Sequence, residues 1–458
     1  MDDVLVCIAY HFPPVLVPGS HRTRAIVRHL PAHGWRPVVV TARPTAADCC
    51  DDSLLEGLPE DLVVARPSDP MLLERAAAVR RWIGRLGRNA AVSGGDGGAG
   101  SERSRAPSLG WTDWGSRWLQ TPDLAVGWLA GGLAATIRAA SRHRARALYS
   151  SAPHWTAHLI GLLARRITGL PWTADFRDPW RSNPFRSFPY RSVDRFDAWL
   201  EARVVAGADR LVCNSEYVRE DFAARYPHLA GRFTTIPNGF EPEDYAELAA
   251  VRRVEEDRFV FSHAGYFYGP RRPHAILEAL RDLRGRSNVR RVPRLQLIGT
   301  PTYEGRGLEE IADEFGVRDL VDVLGEMPHR QALELMRGSD VQLLVGFGGP
   351  GSEYQVPAKL FEYLGVGRPI LALAPSRGAI HDVLTQGGVP VEIRDPDDAT
   401  AIADALERLE SRPMALPFAA SPTFHRRELV ARLADVLEQA CRARSVSSRR
   451  RAPAHDAT

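Results

Sequence analysis

The stretch from Gly351 to Pro369, GSEYQVPAKLFEYLGVGRP, holds the side chains best placed for chemistry. It lies between two apolar runs, at 341–345 and 370–374, of the kind that form buried parallel strands. Proline suits the first helical position, so the spacing predicts a helix opening at Pro357. The free amides of Ala358 and Lys359 then point out of the helix N-terminus, where the dipole favours an anion. Lys359 adds a full positive charge, and Glu362 falls one turn further along the same face. A phosphate at the helix tip with a carboxylate one turn on could hold a ribosyl diphosphate. The plainer alternative is a solvated Lys359–Glu362 pair on a helix surface.

Positioning such groups requires strands and helices in strict alternation, and the chain supplies them. An apolar run at 4–10 reads as a central parallel strand, followed by His11-Phe12-Pro13-Pro14, then Pro18-Gly19-Ser20, then a helix over about 21–33 closed by Gly34. Gly19 and Ser20 thus fall between a strand and a helix N-terminus, where backbone can approach a phosphate or sugar; an ordinary turn glycine is the alternative. Arg22 and Arg24 open that helix and face either the cleft or solvent. Further strands are predicted at 37–42, 62–65, 147–150, 172–176, 210–214 and 233–236, with helices at 154–168 and 191–207. Pro237-Asn238-Gly239 is a strong turn signal and reads as a hinge. The alternation then restarts, with strands at 259–263, 295–299 and 321–324 and helices at 274–284 and 307–315. Alternation without hairpins predicts an α/β protein with two doubly wound parallel sheets, whose carboxyl ends face each other across a ligand cleft.

The implied organisation is an N-terminal domain at 1–237, a second domain at 238–422, a helix at 423–442 and a disordered basic tail at 443–458. The segment 88–108 is glycine-rich and poor in apolar residues, which predicts a disordered insertion. Trp111, Trp114, Trp118 and Trp128 follow it; packing on the domain is favoured over contact with lipid or acceptor.

With 458 residues, two domains are expected, and 44% hydrophobic and 25% charged residues are ordinary for a globular protein. A net charge of +3 gives no footprint for nucleic acid. The five cysteines lack metal-ligand spacing, and no metal or other cofactor is implied. Neither a signal peptide nor an apolar run long enough to span a bilayer is read, so a cytoplasmic location is expected. The tail cluster Arg442, Arg444, Arg449, Arg450 and Arg451 suits peripheral contact with an anionic membrane.

In order and spacing, the chain resembles the retaining glycosyltransferases of GT-B fold typified by glycosyltransferase family 4. The likeness covers nearly the whole length. It is carried by Tyr10-His11-Phe12-Pro13-Pro14 with Gly19, Asp175-Phe176-Arg177-Asp178-Pro179-Trp180, Asn214-Ser215-Glu216, Pro237-Asn238-Gly239-Phe240, Gly265 to Arg272 with Ala279, Gly299, Gly325, and the 351–369 stretch. The resemblance implies a nucleoside-diphosphate-sugar donor and a hydroxyl acceptor such as a glycan or lipid-linked sugar. It also implies a role in building cell-envelope glycans, glycolipids or polysaccharides.

Residue by residue, it implies that Arg271, six positions after Gly265 where the family carries lysine, binds the donor diphosphate beside Arg272. Tyr266 replaces the family's usual arginine. Glu362 matches the second family glutamate and is expected on the ribose, and the backbone near Glu326-Met327 would meet the base. The first glutamate would fall on Tyr354, with Glu353 one place earlier. Asp178 stands where many relatives carry a His-Asp pair, here Arg177-Asp178; it is expected to serve the acceptor hydroxyl as base or orienting group, with an internal salt bridge as the alternative. Two rivals share the likeness: a nucleotide-sugar 2-epimerase of the same fold, and a non-catalytic nucleotide-sugar-binding partner of a membrane complex.

Overall fold

The structure, a computed structural model, describes residues 2–69, 117–188, 190–251, 257–299, 301–411 and 420–451. The expected insertion at 88–108, Trp111 and Trp114 lie outside the described residues.

The N-terminal domain runs β1 (Asp3–Ala9), α1 (Pro18–His29), β2 (Trp35–Val40), β3 (Val63–Ala65), α2 (Leu129–Arg142), β4 (Ala147–Ala152), α3 (Thr156–Thr168), β5 (Trp172–Phe176), α4 (Arg191–Gly207), β6 (Arg210–Cys213), α5 (Glu216–Arg225) and β7 (Phe233–Thr235). Its strands form one parallel sheet in the order β3-β2-β1-β4-β5-β6-β7. The second domain runs β8 (Arg258–Ala264), α6 (His274–Arg284), β9 (Val292–Ile298), β10 (Thr302–Tyr303), β11 (Arg306–Gly307), α7 (Leu308–Glu314), β12 (Val321–Gly325), α8 (His329–Gly338), β13 (Val341–Val345), α9 (Ala358–Val366), β14 (Ile370–Leu373), α10 (Ala379–Gln386), β15 (Val391–Arg394) and α11 (Ala399–Ser411). Its main sheet is parallel in the order β12-β9-β8-β13-β14-β15. The pair β10–β11 is an antiparallel hairpin, which the expected alternation lacked.

Both sheets are buried on both faces, which is why β1, β8 and β13 read as continuous apolar runs. Each sheet reverses its winding once, between β1 and β4 and between β8 and β13. Ligands of such sheets bind at these crevices.

Three boundaries differ from expectation. Helix α1 begins at Pro18, so Gly19 and Ser20 belong to its first turn rather than to a loop before it. Helix α9 begins at Ala358 with Pro357 as its cap. The last helix, α12, spans Arg426–Arg451, so the part of the expected disordered tail at 443–451 is helical, while 452–458 lie outside the described residues. Leu429, Val430, Leu433, Ala434, Val436 and Leu437 of α12 pack with Leu5, Ile26, Val27 and Trp35, so this helix completes the N-terminal core. By length and composition Leu124–Arg142 could cross a membrane; it is folded against α3 and β1. Trp128 is fully buried and Trp118 packs on Phe196, which is the packing role favoured for them.

The chain crosses between domains twice, and the crossings are bound together. Phe240 and Arg426 exchange backbone hydrogen bonds with each other's segment, and Arg426 Nε donates to the Gly239 carbonyl. A side chain on Gly239 would collide with the Phe424 carbonyl, which explains the glycine of the hinge. Arg22 spends its whole guanidinium here: on both oxygens of Asp175 at 2.8 and 2.9 Å, on the carbonyls of Ile236 and Pro237, and on Asn238 Oδ1. Asp175 is fully buried and also accepts from Tyr149 and Ser151. Removing one member of a buried pair leaves a charge unpaired. Arg22→Ala is therefore expected to lower unfolding free energy by about 3–5 kcal/mol, read by urea denaturation; a loss within error would contradict the structural role.

Candidate active site

At the β8/β13 crevice two cations meet, neither of them in an ion pair among the described residues. Lys359 enters from the first turn of α9, and its Nζ lies 5.0 Å from the centre of the Tyr266 ring. It also rests on Gly265, where any Cβ would collide with it, so the glycine after β8 makes room for an ammonium. Burial lowers the Lys359 pKa to about 8, Arg271 adds to the lowering, and Glu362 opposes it. Lys359 is also the only lysine in the sequence, every other Lys/Arg position being arginine. That was a readable signal for a position needing a compact ammonium.

Arg271 arrives from the loop after β8, with Tyr268, Phe185 and Phe347 rings 4.9, 5.7 and 5.9 Å from its guanidinium carbon. It donates to the Tyr268 hydroxyl, while its Nε is buried without a partner. Phe185 belongs to the N-terminal domain, so closure of the domains completes this box. A second orphan lies alongside: His263 Nδ1 donates to the Leu343 carbonyl at 2.9 Å, and burial pushes its pKa to about 3, leaving Nε2 as an unpaired acceptor beside Lys359 and Gly265. Buried polar atoms without partners are rare enough to mark a place for a ligand.

Glu362 lies one turn along α9, as the spacing predicted, but it is not solvated alone. It accepts from His329 Nε2 at 3.3 Å; burial raises its pKa, and His329, His21 and Lys359 overcome this and hold it below the carboxylate norm. His21 comes from α1 of the opposite domain, its ring 6.2 Å from that of His329. Both histidines escaped the sequence reading; the Pro328-His329 start of α8, directly after Met327, was the available hint. Met327 is half-buried against the same apolar cluster as Leu360 and Leu364, and Ala358 is the first residue of α9.

Other candidates are placed differently. Arg22 was expected to face the cleft or solvent; it does neither, its N–H groups being consumed at the hinge. Arg272 was expected on the diphosphate; it is exposed and lines a cavity of about 470 Å³ with His274, Glu278, Tyr303 and, from the end of β13, Val345 and Gly346. Glu353 sits in the turn Ser352–Tyr354 beneath Gly378, and it is absent from the charges acting on Lys359. Ser20 is fully buried with its Oγ unpaired. Arg177 donates to the Ala152 and Pro153 carbonyls and covers Gly19, where a Cβ would lie 2.9 Å from its nitrogens. The alternative of an Arg177–Asp178 salt bridge is not formed among the described residues. Asp178 is half-buried; burial raises its pKa, with Arg177 and Arg271 opposing, so the net shift is upward.

A third feature was missed by the sequence reading. A cavity of about 370 Å³ opens at the β1/β4 crevice, lined by Tyr10, His11, Arg43, Asp48, Asp69 and His154 among others. The Arg177 charge is felt both at His11, on the wall of this cavity, and at Asp178.

Two facing doubly wound domains with ligand crevices at both switch points define the GT-B class of fold. The family description "Glycosyltransferase Family 4" matches residues 98–244. D-inositol 3-phosphate glycosyltransferases of Stackebrandtia nassauensis and Geodermatophilus obscurus are 30% and 32% identical over 220 and 225 residues, 46% of this chain and 48% of theirs. The chain thus spans about half the length of the curated relatives it matches. Anabaena HepE, solved in complex with UDP, superposes with a TM-score of 0.55 at 16% identity, covering 97% of this chain and 100% of that one. The chain thus has the GT-B fold its motif order implied, and it is similar to family 4 over residues 98–244.

Because the Lys359 ammonium ionises near pH 8, affinity for a nucleoside diphosphate should fall as pH rises through that value. The protonated form binds, so the loss is on the alkaline side. Lys359→Arg should bind with no alkaline limb below pH ~10, since arginine stays charged. Calorimetric titration across pH 6–10 measures both; an alkaline limb surviving in the variant would assign it elsewhere.

Proposed function

We propose that the chain transfers a sugar from a nucleoside diphosphate sugar to a hydroxyl acceptor, with retention at the anomeric carbon. The observation that carries this reading is the convergence of Lys359, Arg271 and the α9 N-terminus on one crevice that contains orphaned polar atoms. The hard step is departure of the diphosphate as an oxocarbenium-like centre develops. Two cations in a partly dehydrated site are worth most when negative charge grows on the leaving oxygen, so catalysis is chiefly electrostatic and positional. Glu362 would exchange its His329 contact for ribose hydroxyls, and the segment at Met327 would meet the base. Asp178, its pKa raised by burial, would receive or orient the acceptor proton. No divalent ion is invoked, since side-chain cations carry the leaving charge; a requirement surviving chelation controls would overturn that part. Assembly of glycans or glycolipids at the inner face of a membrane is the proposed setting, supported by the arginine-rich end of α12.

Lys359→Ala and Arg271→Ala are each expected to reduce kcat/KM about 10²–10³-fold. Asp178→Asn should reduce kcat about 10²–10⁴-fold with donor affinity unchanged. A thermal-shift screen of nucleotide sugars selects the donor, and product analysis with donor alone separates transfer from epimerisation. If no nucleotide sugar stabilises the fold, the reading is wrong.

A further inference from the structure

The lining of the N-terminal cavity speaks to the charge of what enters it. Asp48 accepts the Thr45 amide and hydroxyl on one oxygen, at 2.6 and 2.8 Å, and its Oδ1 has no donor among the described residues. Asp69 accepts from Tyr10 at 2.9 Å. His154 lies 3.6 Å from the buried carboxylate of Asp123. His11 is held neutral down to a pKa of about 4 by burial, with His154 and Arg177 lowering it and Asp48 opposing, so it offers one donor and one acceptor. The Tyr10 phenol registers the local field: burial raises its pKa, and Asp69, Asp48 and Asp123 all raise it further. Against these carboxylates, Arg43 is the one Lys or Arg lining the cavity among the described residues, and it is exposed. Two neighbouring guanidiniums do not line it: Arg177 donates to the Ala152 and Pro153 carbonyls, and Arg66 donates to the Pro13 carbonyl while its other terminal nitrogen is buried without a partner.

Carboxylate oxygens and a neutral imidazole such as that of His11 are good partners for hydroxyl groups and poor ones for a phosphate, which would enter a like-charged site. We infer that, if the chain is the glycosyltransferase proposed above, its acceptor is a polyol carrying no anionic group, held through its hydroxyls by Asp48 and His11 in the β1/β4 cavity. An ammonium-bearing polyol fits the same field; a phosphorylated polyol does not. The curated relatives are named for a phosphorylated acceptor, so this cavity marks a difference in substrate class and not a shared one.

The test uses the full chain and matched acceptors: myo-inositol against a myo-inositol monophosphate, and glucose, glucosamine and glucose 6-phosphate. Calorimetry reads binding to the cavity, and release of nucleoside diphosphate from the selected donor reads turnover. Neutral and amino members should bind at least about tenfold more tightly than their phosphate esters. Asp48→Asn should narrow that preference several-fold without lowering the melting temperature. Preference for a phosphate ester, or binding by no member of either set, overturns the inference while leaving donor turnover to judge the glycosyltransferase reading. Asp48-dependent binding of neutral polyols with no turnover of any nucleotide sugar supports the cavity assignment and sinks that reading instead.

Discussion

The buried pair of Arg22 and Asp175 is the constraint on which the geometry of this molecule depends. Burial disfavours the arginine's charge, and the carboxylate restores it, so neither partner is tolerable without the other. The pair joins the first helix to the central strand β5 and to the backbone of the hinge, so one ionic contact sets both the N-terminal fold and the exit direction of the chain. Asp178 lies three residues beyond Asp175, and the loop that follows carries Phe185 into contact with the second domain. The N-terminal side of the cleft is therefore referenced to a buried, dehydrated hub.

Across the cleft the second domain keeps two positive charges together, each offset only in part, Lys359 by Glu362 and Arg271 by Asp178. Glu362 is spent partly on His329, and the aromatic rings around Arg271 and Lys359 attract cations without neutralising them. Such an arrangement is unfavourable in isolation and favourable around a diphosphate, a form of preorganisation. Gly265 permits it by leaving space for the ammonium. His263, fixed in one tautomer by the Leu343 carbonyl, closes the floor with a lone pair in place of a charge.

Much of the fold was legible because the apolar runs of parallel strands and the proline and glycine punctuation are local signals. Helix α6 matches its predicted 274–284 span, and α9 starts within a residue of its predicted opening. Elements β14, β15 and α10–α11 extend the second sheet in the same manner. The hairpin β10–β11 was not foreseen, since a two-residue strand leaves almost no periodic trace. Helix α12 was expected to stop early because arginine-rich sequence reads as a tail; helical backbone tolerates arginine well.

Within the site, Lys359 and Glu362 were identified from their spacing after a predicted helix start, whereas Gly265 and Arg271 came from the family resemblance. The sequence by itself determined which backbone positions reach the two crevices. Side-chain direction was decided only by tertiary structure, because adjacent residues such as Arg271 and Arg272 share every sequence property and differ in which way their loop turns them. The same holds for Arg22, which has the composition of a ligand contact and the environment of a keystone, and for the pairing of His21 with His329, which lie more than half the chain apart and meet only when the domains face each other. Burial, which sets whether a charge is spent or available, depends on atoms distant in sequence.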